Sequence, residues 1–253
     1  MIHLAEKVVI VTGGTRGIGA AIAETCAELG GRVVLTGRDE QAGAAIEGRI
    51  RASGRTARFV QGDVTAPGFP ERLMDDVLGR EGRIDVLVNN AGILSRSNAA
   101  DCTDAEWDSV IATNVTAVFQ LCRAIVPVMR RQFAADGRGG AIVNIASDWA
   151  VVGAHNAVAY GASKGGMVQL TKGLATAWAK DNIQVNAVMP GWIDTDLTQN
   201  ARREVAGLHD SILRRTPAGR WGNIDDMAGV AVFLACAASD FVTGTAIPVD
   251  GGY

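Results

Sequence analysis

Seven short runs rich in Val, Ile and Leu alternate with longer stretches of helical period, and this leaves the chain few folds to choose from. Alternation of this kind implies parallel strands joined by crossover helices. The expected strands are Lys7–Thr12, Arg32–Thr36, Ala57–Gln61, Asp85–Asn89, Ala141–Ile145, Gln184–Val188 and Ala246–Val249. Val86-Leu87-Val88 and Ala141-Ile142-Val143 are apolar at consecutive positions, as strands covered by helices on both faces require. Helices are expected near Ile18–Leu29, Glu40–Ala52, Pro70–Gly79, Asp104–Arg131, Ala157–Lys180 and Ile224–Cys236, with the middle ones open to interruption.

The turn Thr12-Gly13-Gly14-Thr15-Arg16-Gly17-Ile18-Gly19 follows the first expected strand and opens the first expected helix. In that context Gly13 and Gly17 permit a close backbone approach, Gly19 lets the helix pack on the strand, and the free N–H groups of the helix end can receive a pyrophosphate. The fold class is therefore α/β: one doubly wound Rossmann domain over 1–253, with a central seven-stranded parallel sheet flanked by helices. No linker or internal repeat divides the chain. The stretch from Gly191 to Gly222 is the least regular, and its place between a strand and a helix makes it the expected substrate lid.

A net charge of −3, with Lys and Arg scattered among Asp and Glu, gives no sign of a nucleic-acid surface and favours a small-molecule substrate. No apolar stretch is expected to reach the roughly 20 residues of a membrane span. Met1 to Val11 lacks the basic start of a signal peptide, so a cytoplasmic protein is expected. Cys26, Cys102, Cys122 and Cys236 are far apart and are expected to be reduced thiols, with no metal site.

Tyr160 and Lys164 stand one helical turn apart in Tyr160-Gly161-Ala162-Ser163-Lys164, so the phenol and the ammonium project from one face. A free phenol has a pKa of about 10, and a fixed positive charge nearby brings it toward working pH. That suits a group exchanging a proton with a ketone oxygen. After the second strand, Arg38 stands where a carboxylate would accept from the ribose of NAD. An Arg there can pair with the 2′-phosphate of NADP, and Arg16 supplies a second cation, so NADP is favoured over NAD. Asp39, one residue later, keeps NAD open.

Taken in order, the glycine turn, Asn89-Asn90-Ala91-Gly92, the Tyr160/Lys164 pair, Pro190-Gly191 and Val249-Asp250-Gly251-Gly252 resemble the landmarks of the short-chain dehydrogenase/reductases, and the resemblance covers nearly the whole chain. It implies an NAD(P)-dependent oxidoreductase that interconverts a secondary alcohol and a ketone. It implies a catalytic set of Asn114, Ser147, Tyr160 and Lys164: Tyr160 exchanges the proton, Ser147 orients the reacting oxygen, Lys164 holds the nicotinamide ribose, and Asn114 positions a water in a proton relay. Cofactor contacts are implied for Gly13, Thr15, Arg16, Gly17, Ile18, Gly19 and Arg38, and for Asp63 and Val64 after the third strand. Asn90, Ala91 and Gly92 after the fourth strand join them, as do Tyr160 and Lys164, and then Pro190, Gly191, Ile193 and Thr195 after the sixth.

The same resemblance nominates Trp149, His155, Trp192 and Asp148 for the substrate pocket, with the two tryptophans as a flat apolar wall. It leaves the substrate open among a small carbonyl compound, a sugar and a 3-oxoacyl thioester, since 3-oxoacyl-carrier-protein reductases and sugar dehydrogenases are similar in these respects. It further implies a homotetramer built on the two long helices. The competing reading is a nucleotide-sensing protein that keeps the fold without turnover, and the presence of all four catalytic residue types argues against it.

Overall fold

A computed structural model describes residues 2–253, the side chains of residues 197 and 204 set aside. The strands are β1 (Val8–Thr12), β2 (Arg32–Gly37), β3 (Ala57–Gln61), β4 (Val86–Asn89), β5 (Gly140–Ile145), β6 (Ile183–Pro190) and β7 (Ala246–Val249). They form one sheet in the order β3-β2-β1-β4-β5-β6-β7, with every neighbouring pair parallel. Successive side chains of a strand point to opposite faces. Val8 and Ile10 of β1 accordingly enter one core with Leu87 and Ile142, while Val9 and Val11 enter the other with Val86, Val88 and Val143. This is why the strands read as unbroken apolar runs.

Helices α1 (Gly17–Glu28), α2 (Glu40–Ala52) and α9 (Ile224–Ala235) cover the face of Val9 and Val11. The opposite face takes α3 (Phe69–Glu81), α5 (Ala117–Asp136) and α6 (Val158–Trp178). The strand order reverses between β1 and β4, and in open parallel sheets the crevice at the carboxyl ends of such a pair is where ligands bind. The glycine turn leaves β1 at that crevice and the Asn-Asn-Ala-Gly segment leaves β4 beside it.

Three local features differ from the sequence expectation. The expected helix from Asp104 is α4 (Asp104–Ile111), then a π-helical turn at Ala112–Thr116, then α5, with the Ala117 N–H donating to Ala112 O. The irregular stretch after β6 holds two short helices, α7 (Asp196–Glu204) and α8 (Leu208–Arg215). Its ends are tied together, because Asp194 N donates to Gly222 O at 2.7 Å and Gly222 N to Trp192 O at 3.0 Å. Finally, Asp104–Asp136 contains an 18-residue window of mean hydropathy 1.5, so one helical stretch does reach spanning length and composition. Leu121, Ile125 and Met129 within it are fully buried in the core beneath β4 and β5.

Candidate active site

Thr12 ends β1 and starts the site. Its hydroxyl donates to Val88 O at 3.3 Å and accepts from Asn90 N at 3.0 Å and Ala91 N at 3.1 Å, which locks the end of β1 to the end of β4. Asn90 completes the joint by donating through Nδ2 to Thr12 O at 3.1 Å and Gly13 O at 2.9 Å. Gly13 and Gly17 adopt φ of +62° and +54°, a region that favours glycine. A methyl at Gly13 would also stand 2.9 Å from Ala91 Cα. Gly19 is buried beneath this turn, where a side chain would overlap Gly13 O and Asn90 Nδ2, so it packs the turn rather than lining the crevice.

The crevice is a cleft of about 890 Å³. Gly13, Thr15, Arg16, Gly17 and Ile18 line its floor, Arg38, Asp63 and Val64 one end, and Asn90, Ala91, Gly92 and Thr195 the other. Sequence reasoning did not single out Gly37, Gly62, Ile93 or Asn200, which share the same walls. Pro190 and Ile193 are buried behind the wall, and Gly191 abuts the C-terminal turn, since a methyl on it would stand 2.7 Å from Asp250 Cα. Helix α1 begins with no side-chain cap and no acidic residue in its first turn, so its N–H groups and positive end face the cleft uncompensated. A pyrophosphate fits that end.

At the adenosine end, Arg38 is exposed and only loosely paired, 3.9 Å from Asp63. Asp39 is otherwise engaged: its Oδ1 accepts from Ala42 N at 3.0 Å as the N-cap of α2. Asp63 Oδ1 accepts from Thr65 N at 2.9 Å and Thr65 Oγ1 at 2.7 Å, and these bonds, with Arg38 behind them, hold its carboxyl below the usual range. The cation of Arg38 is thus the exposed charge at this end of the cleft.

Lys164 and Tyr160 rise from the first turns of α6 beside the other end. Lys164 is 4% exposed and its Nζ donates to Ile145 O at 2.7 Å. A methyl at Gly92 would stand 3.6 Å from that Nζ and 3.2 Å from Asn114 Oδ1, so all three groups meet at the cleft wall. Asn114, in the π-helical turn, is fully buried. Its Nδ2 donates to Ile93 O at 2.9 Å and Ser163 Oγ at 3.0 Å, and its Oδ1 accepts from Ile93 N at 2.9 Å. Both amide protons are therefore committed to the protein, and one Oδ1 lone pair is left for anything else.

Ser147, in the turn after β5, is buried and accepts from Trp149 N at 3.2 Å. The electrostatics of Tyr160 depart from the sequence expectation. Burial pushes the phenol up to about 12, the neighbouring Ser147 hydroxyl offsets part of the rise, and the Asp148 carboxyl adds to it. The Lys164 ammonium sits 5.5 Å from the Tyr160 ring centroid, over its face, and burial pushes it down to about 8. Desolvation of each group outweighs the attraction that the helical spacing suggests. The phenol holds its proton throughout the neutral range, which is the form a carbonyl reduction draws on.

Because folding lowers the Lys164 pKa from 10.5 to about 8, the unfolded chain binds the extra proton between those values and stability rises with pH across that window. Relative to Lys164→Met, the native chain is expected to gain about 3 kcal/mol of unfolding free energy between about pH 7 and 10.5. Urea titrations at several pH values measure this, and parallel stability curves for the two proteins would contradict it.

Of the residues nominated for the pocket, Trp149 and Trp192 come together and His155 stays apart. Trp149 meets Tyr160 edge-on at 5.8 Å, and Trp192 meets Trp149 at 5.6 Å with the rings 81° apart. The wall is therefore a stepped edge-to-face stack and not the flat one expected, because aromatic quadrupoles favour that arrangement. His155 is exposed on the loop before α6 and forms no hydrogen bond among the described residues. Trp221 and Tyr253 were missed. Both contact Trp192, at 5.5 and 6.4 Å, and the Arg202 and Arg215 guanidinium groups lie 4.1 Å over Trp221 and Tyr253. The one available signal was aromatic residues flanking an irregular, Arg-rich stretch. Cys26, Cys122 and Cys236 are buried, and burial pushes the Cys26 and Cys122 thiols up to about 12.

A glycine-floored cleft lies at the strand-order reversal, and Lys164, with Tyr160 one turn before it on α6, stands beside the Gly92 wall of that cleft. A family profile described as enoyl-(acyl carrier protein) reductase matches residues 13–253. The 2-dehydro-3-deoxy-D-gluconate 5-dehydrogenase of Dickeya dadantii is 38% identical over 99% of this chain and 96% of its own. The 3-oxoacyl-(acyl-carrier-protein) reductase of Chlamydia pneumoniae is 36% identical over 99% and 98%. Among solved structures, a gluconate 5-dehydrogenase from Burkholderia cenocepacia in complex with NADP and tartrate superposes with a TM-score of 0.93, at 36% identity over 99% of this chain and 96% of that one. The chain belongs to the short-chain dehydrogenase/reductase family.

Proposed function

We propose that the protein is an NADP-preferring dehydrogenase/reductase that interconverts a secondary alcohol and a ketone on a small hydroxylated acid of the gluconate type. The observation that carries the reaction is the grouping of Tyr160, Lys164 and Ser147 on α6 and the turn after β5, with Lys164 Nζ reaching Gly92 on the wall of the cleft that starts at the glycine turn. When bound, the nicotinamide supplies hydride to the carbonyl carbon or takes it from the alcohol carbon. Tyr160 gives its phenolic proton to the carbonyl oxygen in reduction and recovers it from the alcohol in oxidation. Ser147 donates to the same oxygen and fixes it against the phenol. Lys164 holds the ribose, and its charge steadies the phenolate left after proton transfer. Asn114 positions a water through its remaining Oδ1 lone pair.

The NADP preference rests on the cations Arg16 and Arg38 at the cleft, the latter only loosely paired with Asp63, and on the capping role of Asp39. For the substrate, the gluconate-type activities of relatives agree with two features. The buried indole N–H groups of Trp192 and Trp221 have no acceptor among the described residues, and hydroxyl groups would supply one. Arg215 offers a cation to a carboxylate. Residues 191–222 act as the lid, with α7 and α8 closing over the cleft from their pinned base. Reduction of a 3-oxoacyl thioester is the second reading, favoured by the Chlamydia pneumoniae relative. Turnover followed by nicotinamide absorbance with keto-gluconates, simple ketones and an acetoacetyl thioester separates them: fastest turnover on a keto-gluconate supports the first reading, and on the thioester the second.

The protein is further proposed to be a cytoplasmic homotetramer. Trp107 of α4 and Phe119 of α5 remain 40% and 39% exposed on consecutive helices, an apolar face that a second copy would cover. Sedimentation at assay concentration is expected to give four chains, and a stable monomer would refute the assembly.

A further inference from the structure

Asp148 follows Ser147 in the turn after β5 and is 7% exposed. As a carboxylate, its Oδ1 accepts from Ser147 Oγ at 3.0 Å, and its Oδ2 is buried without a hydrogen-bond partner among the described residues. Ser147 Oγ already accepts from Trp149 N. A serine hydroxyl has one proton and two lone pairs. If that proton goes to an Asp148 carboxylate, none is left for the substrate oxygen.

The carboxylate is also the costly state of this residue. Its charge would be buried with one oxygen unmet, whereas the neutral carboxyl leaves only a carbonyl acceptor unsatisfied. Burial accordingly raises Asp148 above the usual carboxylate range, bonds from Ser147 and Trp149 offset part of the rise, Asp250 after β7 adds to it and Arg215 of α8 opposes it. The Tyr160 phenol on α6 is the third titratable group that faces it.

We propose that the Asp148 carboxyl donates a hydrogen bond to Ser147 Oγ, fills the second lone pair of the serine, and so commits its single proton to the reacting oxygen. Asp148 is then a positioning residue, acting through Ser147, and the inference rests on the reading of Ser147 and Tyr160 given above. The same negative oxygen develops in both directions of the reaction, so ionisation of Asp148 slows reduction and oxidation alike.

The test is kcat and kcat/KM against pH, in both directions, for the native chain, Asp148→Asn, Asp148→Leu and Tyr160→Phe. Asn donates through Nδ2 as the neutral carboxyl does and cannot ionise. In the native chain kcat/KM is expected to fall about tenfold as Asp148 ionises, the worth of one such bond. Asp148→Asn is expected to lose that limb and keep the plateau, and Asp148→Leu to lose about tenfold in kcat with little change in KM. Superimposable profiles for the native chain and Asp148→Asn would overturn the proposal, as would full kcat in Asp148→Leu. If Asp148→Leu does not fold by circular dichroism, the Asn comparison decides alone. Superimposable profiles with an inactive Tyr160→Phe overturn only the role of Asp148, whereas full activity in Tyr160→Phe overturns the site itself.

Discussion

Tyr160→Phe is expected to lower kcat for ketone reduction by on the order of 10³-fold, within the range that general acid catalysis contributes. The phenol stands on α6 near Ser147, and burial keeps its proton in place through the neutral range. Removing one oxygen leaves the ring against Trp149 at 5.8 Å and the Lys164 bond to Ile145 O at 2.7 Å untouched. NADPH affinity by titration and the thermal midpoint are therefore expected to stay near native values. A loss confined to kcat marks a group used in the transition state, while an equal loss in cofactor affinity would mean that the phenol is part of the binding wall instead.

The second large effect is at the adenosine end. Arg38→Asp is expected to cut kcat/KM with NADPH by on the order of 10²-fold, since a charge-assisted hydrogen bond is worth about 1.5 to 3 kcal/mol and the new carboxylate repels the phosphate. The same carboxylate accepts from the ribose hydroxyls of NADH, so activity with that cofactor is expected to rise and the ratio of the two to shift by about 10³. Folding should be indifferent. The Arg38 and Asp63 side chains are 68% and 39% exposed and 3.9 Å apart, a surface pair of little worth. Unchanged cofactor preference would assign the phosphate to Arg16 or to neither.

Much of this was legible in the sequence because the signals are local. Strands covered on both faces are apolar at consecutive positions, so β1, β4 and β5 announce themselves through Val8–Val11, Val86–Val88 and Ala141–Val143, and the glycine turn marks the strand-order reversal through backbone geometry that few other residues adopt. The joint from Thr12 to Asn90 needs only adjacent strand ends, and the sequence places both segments. What escaped was set by distance in space. The helices α7 and α8 are short and polar, with Thr195 and Thr198 closing a capping box that looks like loop composition in sequence. Trp221 and Tyr253 join the pocket only because the ends of the lid are pinned together and the C-terminal turn abuts Gly191. The direction of the Tyr160 shift was misjudged because spacing shows that two groups are neighbours and says nothing of how far they are from water.

A crystal structure of the protein with oxidised NADP and a gluconate-type alcohol tests the central claim most directly. The expected result has the pyrophosphate on the first turn of α1, and Tyr160 Oη and Ser147 Oγ both about 2.6 to 3.2 Å from a single substrate oxygen. A dinucleotide seated away from the glycine turn, or a substrate oxygen that reaches neither hydroxyl, would contradict it.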